Sequence, residues 1–312
     1  MIYMLGAVVG LCGLFIFMKL FSGSIKRTLY TTLAFSIVYG IVATLVCTII
    51  GGGLVFDNLP STLLALAFAV ISVVFVILGI LVVSLGNMSM YSMFTLLGSI
   101  VLTFIYGLIF RGEGPSVSVF RWIGIGLMLI SLVVPLLDER GGEKSKNSGT
   151  KKEKILFWSA CFAGFICNGL AGVVCAVQAD VQIAQTAVGI TPISSIQFCG
   201  LYMLMVTVIC VLILLVLSCF KKTREGVKTC KGIFRVLPLL FSACYGISTA
   251  FANVFNIEAT AVLPATLTFP FANGGVIVIT AIIGALCFKE KSGTYTKLGL
   301  ILTAISTVLF VL

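Results

Sequence analysis

Long runs without a charged residue alternate with short polar connections along nearly the whole chain. In the first half, such runs cover residues 1–18, 28–56, 58–110 and, interrupted by Arg121 alone, about 118–137. The third run has 53 residues. Because about 20 apolar residues cross a bilayer as a helix, it predicts two spans. A turn at Gly86 and Asn87 would separate them.

The second half repeats this alternation after a polar connection. Residues 139–154 are rich in Gly, Ser, Lys and Glu and have no apolar face, so they predict a solvated linker. Further spans are predicted at 155–179, 194–220, 236–257, about 259–288 and 298–312. The pattern therefore predicts an all-α integral membrane protein with ten transmembrane helices, five in residues 1–138 and five in residues 155–312.

The run near 259–288 contains helix breakers. Pro264 and Pro270 each remove a backbone donor, and Gly274 and Gly275 follow closely. In lipid, the freed carbonyl groups are tolerated only where neighbouring helices or a water-filled cavity satisfy them. This helix is therefore predicted to pack inside the bundle and to line a path across it.

Composition agrees with a membrane environment, since 60% of the residues are hydrophobic and 10% are charged. The net charge of +10 comes from Lys and Arg in connecting loops, so no nucleic-acid partner is predicted. The 11 cysteines are scattered without a CxxC pair and predict apolar filling rather than disulfides or a metal site. The chain has no histidine, which argues against most zinc sites and against a Ser-His-Asp triad. Neither enzyme activity nor a cofactor is therefore predicted.

The loop charges also indicate orientation. The loops after odd-numbered helices carry 18 Lys and Arg residues, and those after even-numbered helices carry 2. Cytoplasmic loops are enriched in Lys and Arg, so the odd loops are predicted to be cytoplasmic and both termini external. With five helices each, the two halves then cross the membrane in opposite senses.

A sequence repeat supports this division. At a shift of 177 positions, seven of sixteen residues in the fourth and ninth helices are identical. The first-half members are Gly98, Ile100, Val101, Thr103, Ile105, Gly107 and Glu113. The repeat predicts two inverted five-helix units, the plan of many secondary transporters.

The arrangement resembles the EamA-like branch of the drug/metabolite transporter superfamily. The matching residues are Gly98, Gly107, Glu113, Trp122, Gly124, Pro270, Gly274, Gly275, Gly284, Phe288, Glu290 and Gly299. Met93 stands where the proline is expected, the basic loop after helix two is missing, and external termini depart from the family pattern. The resemblance covers nearly the whole chain and implies a carrier. It does not imply a substrate, because the superfamily carries amino acids, nucleotide sugars, metabolites and drugs.

Polar side chains and breaks at membrane depth are the candidate pathway residues, because such groups are costly in lipid. They are Asn87, Tyr91, Asn168, Tyr245, Asn253, Asn256, Thr266, Pro270 and Asn273. Asn253 and Asn256 share a face of helix eight, and the last three candidates share a face of helix nine. Each amide could bind a small polar solute or hydrogen-bond a neighbouring helix instead.

Glu258, near the end of helix eight, is the candidate coupling residue, because a carboxylate partly withdrawn from water can take up and release a proton. The alternative is a solvated carboxylate at a helix end. Glu113 is predicted to pair with Arg111 or Arg121 in a structural role. Asp180 is predicted either to lie at the mouth of the path or to be an ordinary loop charge.

Together these features predict a multi-pass secondary transporter of the plasma membrane. It would move a small polar metabolite or drug by alternating access, with proton coupling and exchange both left open. A channel or a non-catalytic membrane scaffold is the alternative, and an intramembrane enzyme is a more distant one. The expected partners are the lipid bilayer and a small-molecule substrate, and a homodimer is left open.

Overall fold

A computed structural model describes residues 1–25, 28–85, 88–134, 151–220, 226, 229–287 and 293–310. This part of the chain contains ten α-helices, two 3₁₀ helices and no strand. The helices of the first half are α1 (Ile2–Ser24), α2 (Leu29–Gly51), α3 (Leu59–Leu85), α4 (Met88–Ile109) and α5 (Val119–Val133). Those of the second half are α6 (Lys151–Ala187), α7 (Ser195–Cys219), α8 (Val236–Val262), α9 (Ala265–Cys287) and α10 (Thr294–Leu309). The 3₁₀ helices cover Gly114–Ser116 and Thr229–Phe234.

Seven of the described helices, namely α1–α3 and α6–α9, are long and apolar enough to cross a membrane. Shorter apolar segments cover Phe94–Ile109, Val119–Ser131 and Lys297–Leu309. Large apolar side chains lie on the outside, as shown by Ile49 and Leu286, which are 79% and 75% exposed. Lipid solvates such a surface at little cost, whereas water does not. The chain is therefore an integral, multi-pass membrane protein.

A glycine marks the end of α2. Gly52 follows α2 with a φ of 73°, a left-handed conformation that glycine adopts without strain. The helix predicted over 28–56 consequently ends at Gly51. Helix α3 ends at Leu85 and α4 begins at Met88, on either side of Gly86 and Asn87, where the sequence predicts a turn. Those two residues themselves lie outside the described part of the chain.

The sequence-based boundaries of the sixth helix are wrong. Because α6 runs from Lys151 to Ala187, it includes residues 151–154 of the predicted linker and the polar stretch that begins at Asp180. Lys, Glu and Gln favour helix, and the side chains of Asp180 and Gln182 have hydrogen-bond partners. A polar composition therefore did not end the helix.

The helices pack mainly across the two halves of the sequence. The main pairs are α1 with α8 and α9, α2 with α7 and α8, α3 with α6 and α7, α4 with α6 and α9, and α5 with α10. Small residues allow the close pairs: a Cβ added to Gly10 of α1 would lie 2.8 Å from the backbone nitrogen of Ala252. A Cβ on Gly98 of α4 would collide with the Phe165 carbonyl oxygen of α6. Such contacts are typical of membrane helices.

The largest cluster of buried apolar side chains lies around α2, α3, α7 and α8. All eleven cysteines have free thiols. Cys47, Cys199 and Cys210 are buried within this cluster, where they act as small apolar residues.

Candidate functional site

A cavity of about 150 Å³ lies between α1, α2, α3, α4, α6, α8 and α9. Five of the predicted pathway residues line it, namely Asn168, Tyr245, Asn253, Asn256 and Asn273. They come from three helices that are separated in sequence. The tertiary structure therefore gathers these polar groups at one place between the two halves of the chain.

Two other predicted pathway residues, Thr266 and Pro270, do not line the described cavity. Thr266 donates its hydroxyl to Glu113 Oε2 at 2.7 Å. Pro270 lies inside α9, which continues through it, so the break expected at this proline is absent from the described helix. Asn87 lies outside the described residues, and nothing is described of the Tyr91 side chain. Of the three candidates expected on one face of α9, Asn273 is the one at the cavity.

Asn253 is held by groups around its amide nitrogen. Nδ2 donates to the Tyr202 hydroxyl at 2.7 Å and to the Thr249 carbonyl oxygen at 3.0 Å. Its Oδ1 receives a long contact of 3.9 Å from the Cys175 thiol. The amide orientation is defined by Thr249, because a carbonyl oxygen can only accept a hydrogen bond.

Asn273 and Asn168 are oriented in the same way. Asn273 Nδ2 donates to the Phe269 carbonyl oxygen at 2.9 Å and to Ser99 Oγ at 3.3 Å. Asn168 Nδ2 donates to the Thr95 carbonyl oxygen at 2.8 Å. In both residues the N–H groups therefore face the protein.

Asn256 is 6% exposed, and its Oδ1 has no hydrogen-bond partner among the described residues. The hydroxyl of Thr32, which also lines the cavity, is likewise buried without a described partner. Buried polar atoms are normally satisfied, because leaving one unpaired costs about 1–3 kcal/mol. Unpaired groups at a cavity wall are therefore groups that a solute or water can bind.

Aromatic rings form much of the remaining wall. They belong to Phe15, Phe21, Phe35, Phe68, Phe75, Tyr245 and Phe269. The ring of Tyr245 packs 4.8 Å from Phe35 and 4.9 Å from Tyr39, measured between centroids, and is thereby positioned. Among the residues described as lining the cavity, none is a Lys, Arg, Asp or Glu.

An ion-pair cluster lies beyond one end of the cavity. Arg111, just after α4, donates from Nη2 and Nε to Asp180 Oδ1 of α6 at 2.6 and 2.8 Å. Its Nη2 also donates to the Thr260 carbonyl oxygen of α8 at 2.9 Å. The Tyr106 hydroxyl donates to Asp180 Oδ2 at 2.6 Å. The cluster therefore connects the first half to two helices of the second.

Glu113 extends this cluster to the start of α9. Its Oε1 accepts from the Ala265 backbone nitrogen at 2.8 Å, and its Oε2 accepts from that of Thr266 at 2.9 Å. A carboxylate at this position satisfies free N–H groups and complements the helix dipole. Arg111 Nη1 also lies 3.4 Å from Glu113 Oε1. Arg111 thus contacts Glu113, and Glu113 also stabilises the start of a helix.

The charge state of Arg111 follows from its neighbours. Burial by itself would lower the pKa of the guanidinium, but the hydrogen bonds and charges of Asp180 and Glu113 hold that pKa above its ordinary value. Arg111 therefore stays protonated at any physiological pH.

Glu258, the predicted coupling residue, does not line the cavity. Its Oε1 accepts a hydrogen bond of 2.6 Å from Ser195 Oγ, at the start of α7. Gln182 Nε2 lies 3.3 Å from the same hydroxyl. Glu258 lies in the last turns of α8, two residues before Thr260, whose carbonyl oxygen accepts from Arg111. It therefore lies near the end of the bundle that holds Arg111.

Sequence reasoning missed several features of this site. The hydroxyls of Thr32 and Ser99 and the aromatic wall were not among the candidates. Their signal was weak, because the chain has 24 phenylalanines in similar apolar runs. The pairing of Arg111 with Asp180 was missed as well. The one signal in the sequence was that Asp180 lies within two positions of Gln178 and Gln182, a group of polar residues beside a long apolar run.

Comparison with known proteins gives a fold and no function. No family model matches this sequence, and no curated protein does. Among the solved structures of similar fold is a crystal structure of a protein with 11% sequence identity and a TM-score of 0.63, covering 97% of this chain and 95% of the other. The two chains therefore share their helix arrangement over nearly their whole lengths.

Proposed function

We propose that this protein is a secondary transporter that moves a small solute by alternating access. It would use ten transmembrane helices arranged as two inverted five-helix repeats. The observation that carries this proposal is the cavity at the interface of the halves, which is lined by amides and has an ion-pair cluster beyond one end. The resemblance of the sequence to EamA-like carriers agrees with it.

The helix pairing supports the inverted repeat. If α1–α5 correspond to α6–α10, the pair α1–α8 corresponds to α6–α3, α2–α8 to α7–α3, and α4–α6 to α9–α1. The pairs α2–α7, α4–α9 and α5–α10 correspond to themselves. All of these contacts occur, which is the pattern expected of a pseudo-twofold axis in the membrane plane.

Residues of the sequence repeat also meet at the α5–α10 contact. The repeat aligns Gly124 with Gly299 and Ser131 with Ser306. Ser306 Oγ donates to the Gly124 carbonyl oxygen at 2.7 Å. Across the same contact, Thr303 Oγ1 donates to Ser131 Oγ at 2.9 Å and to the Gly299 carbonyl oxygen at 3.0 Å. These paired contacts are consistent with an axis passing between α5 and α10.

One departure from this symmetry supports alternating access. Helix α6 packs against α8, whereas α1 and α3, their counterparts, have no substantial contact in the described part of the chain. Instead, Leu14 of α1 and Phe75 of α3 both line the cavity. In an inverted repeat, a packed helix pair in one half-to-half contact and a separated pair in the equivalent contact define one of the two alternating-access states. In the other state, α1 would pack on α3 and α6 would separate from α8.

The position of the cavity suggests which side is open. Met18 near the end of α1 and Thr32 near the start of α2 line it. Lys26 and Arg27 lie between these helices in sequence, and such loops are expected to be cytoplasmic. The cluster around Arg111 lies toward the opposite end. The proposed state is therefore open inward and closed outward.

Flux measurements in proteoliposomes test the proposal. A panel of radiolabelled amines, amino acids and nucleobases would be assayed for uptake and for counterflow against unlabelled solute inside. A carrier gives saturable uptake and counterflow. A current that rises linearly with solute concentration would instead indicate a channel. Absence of flux, together with turnover of lipid or peptide, would refute the proposal.

A further inference from the structure

The cavity amides share one orientation. In Asn168, Asn253 and Asn273, Nδ2 donates to a backbone carbonyl oxygen. A carbonyl oxygen offers no hydrogen to donate, so exchanging the amide N and O would lose each of these bonds. The orientation therefore follows from chemistry, and it leaves the three Oδ1 atoms on the other side of each amide.

These Oδ1 atoms have few partners. In the described part of the chain, neither Asn168 Oδ1 nor Asn273 Oδ1 has a hydrogen bond, and Asn253 Oδ1 has the long thiol contact alone. Asn256 Oδ1 is buried and has no hydrogen-bond partner among the described residues. All four residues line the same cavity. The hydroxyl groups at the cavity can donate or accept a hydrogen bond, so they favour neither kind of ligand. The amides offer a ligand their oxygens, and the cavity therefore offers mainly hydrogen-bond acceptors.

The rest of the wall favours positive charge over negative charge. Aromatic rings attract cations through their faces, and seven rings line the cavity. Carbonyl oxygens add the negative ends of their dipoles. No Lys or Arg belongs to the described lining, so a carboxylate or phosphate would have neither a counter-charge nor enough donors. An anion would therefore be buried at high cost.

We infer that the cavity selects a protonated amine attached to an apolar ring, and rejects carboxylates and phosphates. The ammonium group would donate its N–H bonds to the Oδ1 atoms of Asn256 and neighbouring asparagines, while the ring would pack among the phenylalanines. This inference rests on the proposed transport function for its biological meaning. The binding preference itself follows from the amides and rings, and it can be measured without transport.

Four probes that share a phenylethyl group and differ in their polar end separate the contributions. They are phenethylamine, its N,N,N-trimethyl analogue, 2-phenylethanol and 3-phenylpropionate. Ligand-induced thermal stabilisation and equilibrium binding would be measured on the full-length purified protein in nanodiscs. Phenethylamine is expected to bind about tenfold more tightly than the trimethyl analogue, which has the charge without N–H donors. The alcohol should bind more weakly than the amine, and phenylpropionate should not stabilise the protein.

An Asn256→Ala variant tests whether the preference for N–H donors arises at Asn256. It should weaken phenethylamine binding by about tenfold and change binding of the trimethyl analogue much less. Asn58→Ala, which removes an amide bonded to Gln185 away from the cavity, should leave both affinities unchanged. If Asn256→Ala fails to fold, the four-probe series on the unaltered protein decides the question by itself.

The outcomes separate the two proposals. Equal affinity for phenethylamine and the trimethyl analogue, or tighter binding of phenylpropionate, would overturn the inferred selectivity. Amine binding in the expected order without flux in proteoliposomes would support the selectivity and refute transport. Saturable flux of carboxylates alone would support transport and refute the selectivity.

Discussion

Arg111 Nη2 lies 2.6 Å from Asp180 Oδ1, and this ion pair joins the two halves of the chain at one end of the cavity. The same guanidinium also reaches the Thr260 carbonyl oxygen, and through Glu113 it is connected to the start of α9. Charge-assisted hydrogen bonds of this kind are about twice as strong as neutral ones. Any separation of α6 and α8 from the end of α4 must break them.

Arg111→Ala is therefore expected to open the closed end. In a background in which the eleven native cysteines are replaced by alanine, Ala171→Cys would place a single cysteine on the cavity wall. An impermeant thiol reagent would label it from the outer side in the Arg111→Ala variant. Without the Arg111 change, labelling should come from the cytoplasmic side. Arg111→Lys should give an intermediate result, because lysine keeps the charge but lacks the guanidinium fork.

Arg235→Ala provides the matched control, since Arg235 is exposed at the start of α8. It should leave the sidedness of labelling unchanged. Labelling from the cytoplasmic side alone in Arg111→Ala would mean that the cluster does not close the outer end.

Asn256→Ala is expected to lower flux by about tenfold without lowering the amount of protein in the membrane. The reason is that Asn256 Oδ1, at the cavity wall, has no partner in the described part of the chain and is available to a solute. Initial uptake rates would be normalised to protein quantified by blotting, with Asn58→Ala as the control. An unchanged rate would remove Asn256 from the path.

Glu258→Gln is expected to abolish any dependence of uptake on a pH gradient, because an amide cannot take up or release the proton. Ser195→Ala removes the hydroxyl that bonds this carboxylate and leaves the carboxylate in place, so gradient dependence should survive in it. Uptake would be compared with and without an imposed gradient. A gradient response that persists in Glu258→Gln would rule out its coupling role.

Gly98→Ala is expected to destabilise the protein by about 1–3 kcal/mol, because the added Cβ would meet the Phe165 carbonyl oxygen of α6. Gly126→Ala, in α5, adds the same methyl where no heavy atom of a neighbouring described residue lies within 4 Å, and it should be neutral or slightly stabilising. Thermal unfolding monitored in detergent would compare the two. Equal stabilities would contradict the close α4–α6 packing.

A reporter fused after Leu312 is expected to lie outside the cytoplasm, and one inserted in residues 139–150, before the start of α6, is expected to lie inside. The expectation follows from the 18 Lys and Arg residues of the odd loops against 2 in the even loops. Paired phosphatase and fluorescent reporters would measure it. Cytoplasmic signal at Leu312 would reverse the orientation, and with it the side on which the cavity opens.

The long apolar runs in the sequence correctly predicted a helical membrane protein, because a helix satisfies all the backbone hydrogen bonds of such a run within the run itself. The centres of the helices follow from those runs. Their ends were less certain, as α6 shows by continuing through Asp180 and Gln182. Judged from the sequence alone, a charged residue indicates the end of a span. A tertiary hydrogen-bond partner can nevertheless keep that residue within the helix.

The candidate amides were visible as rare polar groups in apolar helices, so Asn168, Asn253, Asn256 and Asn273 could be named from the sequence. Their spacing placed Asn253 and Asn256 on one face of α8. It could not show that α6, α8 and α9 bring them to the same cavity as Phe35 and Phe75, because those contacts join distant parts of the chain.

By itself, then, the sequence determined the membrane environment, the helical class and the rare polar residues, since these depend on local apolar length and composition. The tertiary structure alone decided that Thr266 bonds Glu113, that Arg111 pairs with Asp180, and that the cavity amides turn their nitrogens toward the protein. Each of these depends on which carbonyl or carboxylate a distant helix presents. Hydrophobic pattern carries no information about that choice.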